Sequence, residues 1–127
     1  MADPELAFHK ALLARLQGGL EASVYDAVPA GAAFPYVTID TSIYGNDDAL
    51  VQRRYDGFVF LNVWSETLGQ EEVVQIMGQI DTLVHDQKLA LDTGAVISLS
   101  VTRKTTRRDA DNRTFMGQVT LHVRLQY

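Results

Sequence analysis

The sequence predicts an α+β fold: two helices packed on one face of an antiparallel sheet of about four strands, in the order α-β-β-α-β-β. Two stretches carry apolar residues at helical spacing, and β-branched or strictly alternating runs lie between and after them. No repeat, low-complexity tract or Pro/Gly/Ser linker divides residues 1–127, which are expected to form one domain. A chain of this length can bury roughly two-thirds of its unfolded surface.

The first helix is expected from Pro4 to Gln17. Asp3 can cap its free N–H groups, Pro4 sits where a missing N–H costs nothing, and Glu5 faces the positive end of the helix dipole. Leu6, Leu13, Leu16 and Leu20 mark its buried face, and Gly18-Gly19 offers a left-handed stop. Val24-Tyr25 is a short extended piece, and Pro29, Gly31 and Pro35 then break the chain ahead of the strand-like Tyr36-Val37-Thr38-Ile39. After a turn or loop tip at Gly45 to Asp48, Tyr55 to Trp64 reads as a strand apolar on both faces, the mark of a central position.

The second helix is expected from Gly69 to His85, with Val73, Ile76, Ile80 and Leu83 at helical spacing and Glu71 and Glu72 in the first turn. Ala95 to Thr102 follows as a strand. From Thr114 the last strand alternates most cleanly: Phe115, Gly117, Val119, Leu121, Val123, Leu125 and Tyr127 share one face, Met116, Gln118, Thr120, His122, Arg124 and Gln126 the other. Periodicity does not say whether this strand lies at an edge or in the centre of the sheet.

Composition excludes several function classes. The chain has no cysteine, so disulfides, zinc-thiolate sites and thiol nucleophiles are ruled out. No basic-then-apolar leader precedes residue 30 and no run of about 18 apolar residues occurs, so neither secretion nor membrane association is expected. His9, His85 and His122 fall on three elements without metal-ligand spacing, and GxSxG, GxGxxG and P-loop motifs are absent. Asp47-Asp48 and Glu71-Glu72 are neighbours that point apart, explained by a loop tip and a helix first turn rather than by an acid/base dyad. Neither catalysis nor a cofactor or metal is expected.

The net charge of −5 hides a polarity. Residues 1–102 hold 14 acids and 5 bases, or −9; residues 103–127 hold 2 acids and 6 bases, or +4. Arg103, Lys104, Arg107, Arg108 and Arg113 lie in an expected loop over 103–113, and Arg124 on the last strand. Three readings stand for the loop: a solvated hairpin end, a protein contact or a DNA contact. Phe115 is the nearest aromatic and lies in the apolar register, so base stacking is not indicated.

Several segments together resemble the phage tail terminator or tail completion family, in the branch found in prophages and gene transfer agents and formerly a domain of unknown function. They are Val24-Tyr25-Asp26-Ala27-Val28-Pro29 with Phe34-Pro35-Tyr36-Val37-Thr38, then Leu61-Asn62-Val63-Trp64-Ser65, then Asp109-Ala110-Asp111-Asn112-Arg113-Thr114 with Gly117. They occur in the expected order across nearly the whole chain. The matched positions transfer as fold markers: Pro29 and Pro35 stiffen the entry to a long strand, and Trp64 ends the central strand with a large buried side chain.

The resemblance implies a structural subunit, made in the bacterial host cytoplasm, that assembles with copies of itself as a hexameric ring on the finished tail tube. Its implied partners are the major tail tube protein, the head-side connector and DNA passing through the lumen without sequence-specific contact. Arg103, Lys104, Arg107, Arg108, Arg113 and Arg124 are then candidate assembly contacts. Competing readings are a head-closure subunit, a small enzyme without a recognisable motif, and a regulatory or nucleic-acid-binding module.

Overall fold

A computed structural model describes residues 3–48, 52–66, 69–108 and 114–127. Asp3 caps the first helix as its side chain predicts: its Oδ1 accepts the Glu5 N–H at 2.8 Å, Pro4 occupies the first turn, and α1 runs Pro4–Gly19. The buried stripe differs from the expected one. Pro4, Phe8, Leu12 and Leu16 face inward at four-residue spacing, whereas Leu6 is 60% exposed and Leu13 half-buried.

The glycines do not supply a left-handed stop either. The helix continues through Gly18 and Gly19 and ends at Leu20, whose extended backbone (φ −100°) still donates its N–H to the Leu16 carbonyl. Gly19 answers instead to a close approach between helices, since a Cβ there would lie 2.5 Å from Leu83 Cδ2.

Five strands follow from the rest of the chain: β1 (Ser23–Tyr25), β2 (Tyr36–Asn46), β3 (Arg54–Ser65), β4 (Ala95–Arg108) and β5 (Phe115–Gln126). The helix α2 (Glu71–Val84) lies between β3 and β4 and buries Val73, Ile76, Met77, Ile80 and Val84. The sheet order is β1-β2-β3-β5-β4. The expected class holds, with two corrections. The extended piece at Val24-Tyr25 is a fifth strand, and it pairs parallel to β2, so the sheet is mixed. Three residues are too few to display a period, and only the tertiary pairing reveals them.

The last strand is central, hydrogen-bonded to β3 on one side and to β4 on the other. Its odd-numbered residues from Phe115 to Leu125 are buried under the helices. Gly117 is where α2 comes closest: a Cβ there would overlap Val73 Cγ1 and stand 2.8 Å from Met77 Sδ. Both helices cover this one face, and the core forms from Phe8, Leu12 and Leu16, from Val73, Ile76 and Ile80, and from Val37, Leu61, Val63, Leu121 and Leu125 of the strands. Ser65, at the end of β3, donates to Glu72 Oε1 at 2.6 Å and ties the sheet to the first turn of α2.

Strand β4 is longer than expected. Residues 103–108, read from sequence as loop, continue the strand and pair with β5 in register down to Arg108 opposite Phe115. Thr102, Thr105 and Thr106 favour the extended backbone, and the ladder to β5 supplies the hydrogen bonds. The remainder of the basic segment, 109–113, lies outside the described residues and includes the candidate Arg113.

Candidate assembly surface

The pleat divides each strand between two environments, and only one face of the sheet carries helices. On the other face, register places side chains in rows across the four long strands. At one end the row is Tyr36, Trp64, Met116 and Arg107; next come Thr38, Asn62, Gln118 and Thr105; then Thr41, Phe60, Thr120 and Arg103; then Ile43, Phe58, His122 and Ser100. A β-bulge between Ile39 and Thr41 moves Asp40 out of the alternation and leaves it exposed.

This uncovered face is partly apolar. Ile43 is 65% and Phe58 42% exposed, and Phe60, Trp64 and Tyr36 are half-buried. Trp64 is therefore not the fully buried anchor expected of it. Its even-numbered register places it opposite the helices, and no second layer lies above it among the described residues.

Of the six basic residues singled out from sequence, the five within the described residues separate by face and by partner. Arg103 and Arg107 point to the helix-free side, Lys104 and Arg108 to the helix side. Lys104 Nζ pairs with Asp81 Oδ2 of α2 at 2.8 Å, and the neighbouring Thr106 hydroxyl donates to Gln70 Oε1 at 3.1 Å. Arg108 lies over the Phe115 ring at 4.9 Å. Arg107 rests on Met116 Sδ at 3.8 Å, and neither it nor Arg103 has an ion-pair partner among the described residues.

Arg124 stands apart from these. It lies near the opposite end of the sheet, where its guanidinium donates to Asp47 Oδ2 at 2.7 Å. That hydrogen bond holds the Asp47 carboxyl below its ordinary range and raises the guanidinium above its own, against the opposing effect of burial. The candidates are thus a basic arm on β4 and a separate structural clamp.

Each histidine meets one aspartate. His9 Nε2 is 3.4 Å from Asp26, His85 Nε2 3.5 Å from Asp86, and His122 Nε2 2.5 Å from Asp56 Oδ1. His85 also accepts the Val101 N–H through Nδ1 at 3.0 Å, while the Asp86 N–H donates to the Leu99 carbonyl. These contacts cover the first half of the β4 edge. No group of three metal-ligating side chains occurs among the described residues.

Concavities open on both faces of the sheet. One, of about 310 Å³, lies beneath the start of α1 between Leu6, Phe8, Ile39 and Tyr44. Burial, with Glu5 and Asp3 nearby, pushes the Tyr44 hydroxyl well above the usual phenol range. The other, of about 290 Å³, opens at the β1–β2 edge between Asp26, Val28, Tyr36, Asp40, Asn62 and Trp64. At the far end of β5, Tyr127 donates its hydroxyl proton to Tyr55 at 3.0 Å, and that bond, helped by burial, moves its pKa to about 12.

Sequence reasoning missed Asp26, Asp40, Ile43 and Phe58 as surface features. The available signal was the two-sided apolar character of Phe58 to Trp64, which was read as burial of both faces.

Comparison with known proteins agrees with this geometry. A chain in the solved structure titled "Virion of native gene transfer agent (GTA) particle" matches with a TM-score of 0.89 and 16% identity, covering 100% of each chain; at that identity the likeness is one of fold. No match was found among curated proteins. The family model described as "Tail completion protein gp17" matches residues 6–126, nearly the whole chain, and the protein belongs to that family: a structural protein of the phage tail, and not an enzyme.

Proposed function

We propose that the protein ends the tail tube at the head–tail junction, where a ring of identical subunits, expected to be hexameric, stops tube polymerisation and receives the head-side connector. The observation that carries this reading is the helix-free sheet face, which leaves Ile43 and Phe58 exposed toward one end and Tyr36 and Trp64 half-buried at the other. Apolar patches of this kind mark interaction surfaces when polar residues rim them, and here the rim is the basic arm on one side and Asp26 and Asp40 on the other.

In this reading Arg103, Arg107, Arg108 and Arg113 make contacts with neighbouring protein. Lys104 and Arg124 hold the arm and the opposite end of the sheet in shape through Asp81 and Asp47. A net charge of −5 suits a lumen that DNA crosses without adhering.

Deletion of the gene tests the reading directly. Electron microscopy of the resulting particles should show tails of abnormal length or tails detached from heads. Joined particles with tails of normal length would refute it.

A further inference from the structure

We infer that Arg107 of one copy seats in the Asp26/Asp40 groove of the next, and that this contact closes the ring. The inference rests on the ring reading above and names the residues of its subunit contact. The groove offers what a guanidinium takes: two carboxylates, the rings of Tyr36 and Trp64, and the Asn62 amide, within about 290 Å³. A planar, weakly hydrated cation pairs with carboxylate at its edge and stacks on an aromatic face, and an ammonium matches the second part poorly. Asp40 has no ion-pair partner among the described residues, and Asp26 has only His9 at 3.4 Å.

Arg107 is the matching donor. It is exposed, lacks a carboxylate partner among the described residues, and points to the same helix-free side as the groove. Lys104 and Arg108 point to the other side and are engaged by Asp81 and Phe115.

Register then fixes the relative position of donor and groove. Arg107, Met116, Trp64 and Tyr36 form one row, so the donor lies level with the aromatic end of the groove, about 14 Å across the sheet at the usual spacing of strands, while Asp40 lies four residues further along β2, level with Arg103. A head-to-tail contact between different patches closes into a ring when successive copies turn without rising.

Charge reversal tests the contact in assembled particles. Arg107→Glu alone and Asp40→Arg alone should each lower the amount of this protein on purified tails about tenfold, the scale of a close interfacial charge pair. The two together in one chain restore opposite charges across every contact and should recover occupancy to within about threefold of the parent. A double variant no better than the singles overturns the inference. As a second measurement, Asp40→Cys with Arg107→Cys, in a chain that has no other cysteine, should give a ladder of cross-linked copies when assembled particles are treated with a short bis-maleimide that spans the distance of an arginine–carboxylate pair, and either single variant should not.

The two readings fail differently. Full tail occupancy in both charge-reversed singles refutes the groove contact while leaving the capping role intact, whereas normal joined particles from the deletion strain refute the capping role itself.

Discussion

At the scale of single residues, Arg124 and Asp47 show a charged pair holding a loop rather than a ligand. The loop is built by side chains: Asn46 Oδ1 accepts the Asp48 N–H at 2.8 Å, Asp48 Oδ1 accepts the Arg54 N–H at 3.0 Å, and Arg124 clamps Asp47 from β5. Because the folded carboxyl of Asp47 titrates below its ordinary value of 3.8, its contribution to stability is complete above the unfolded value and is lost as pH falls through the folded one. An NMR titration should place the Asp47 midpoint below 3.8, and Arg124→Gln should return it toward that value. An unchanged midpoint in the variant would show that the guanidinium is not the cause. From sequence, Asp47-Asp48 was legible as a loop tip and Arg124 only as an outward cation; their pairing spans 77 positions and depends on the register of the sheet.

At the scale of elements, the legible parts were those with an undisturbed period. The alternation of β5 identified its buried face residue by residue, because a strand covered on one side sorts its side chains in twos. The first helix was legible in extent and cap but not in register. Leu6, Phe8, Leu12, Leu13 and Leu16 supply overlapping apolar stripes, and the chosen one is set by which residues meet the sheet. The end of β4 was illegible because Arg103 to Arg108 contains no apolar residue to betray a face; β5 makes it a strand by offering a partner. Gly117 is where helix and sheet fit together most tightly. Gly117→Ala would force Val73 and Met77 aside, and overpacking of this kind costs about 1–3 kcal/mol, measurable as a lower urea midpoint with an unchanged slope. An alanine variant as stable as the parent would mean that α2 is not seated there.

At the scale of the whole molecule, the basic residues of 103–127 and two of the acids of 1–102 fall at different places across the sheet. Most of the basic quarter lies along β4 and β5, while Asp26 and Asp40 mark the β1–β2 edge. Sequence arithmetic could find the polarity but not the geometry, since it takes the strand order to carry the two patches to opposite sides of one sheet. On the proposed function, Arg107→Glu with Arg108→Glu should yield particles with unterminated or unjoined tails, counted by electron microscopy; normally ended tails would show the arm to be a solvated edge. Trp64, the only tryptophan, stands on the proposed contact face. Its emission should move to shorter wavelength when subunits assemble, and an unaltered spectrum in closed rings would remove that face from the interface.

The position of β5 between β3 and β4 has a consequence for the order of events in building a tail. Strands β3 and β4 are not paired with each other, so until β5 enters, no hydrogen-bonded sheet joins the basic arm to the acidic groove. Insertion of one strand brings donor and acceptor into one sheet. On the proposed assembly, a subunit is either unable to engage any neighbour or ready for both, and incompletely folded copies cannot poison a growing ring by binding on one side only.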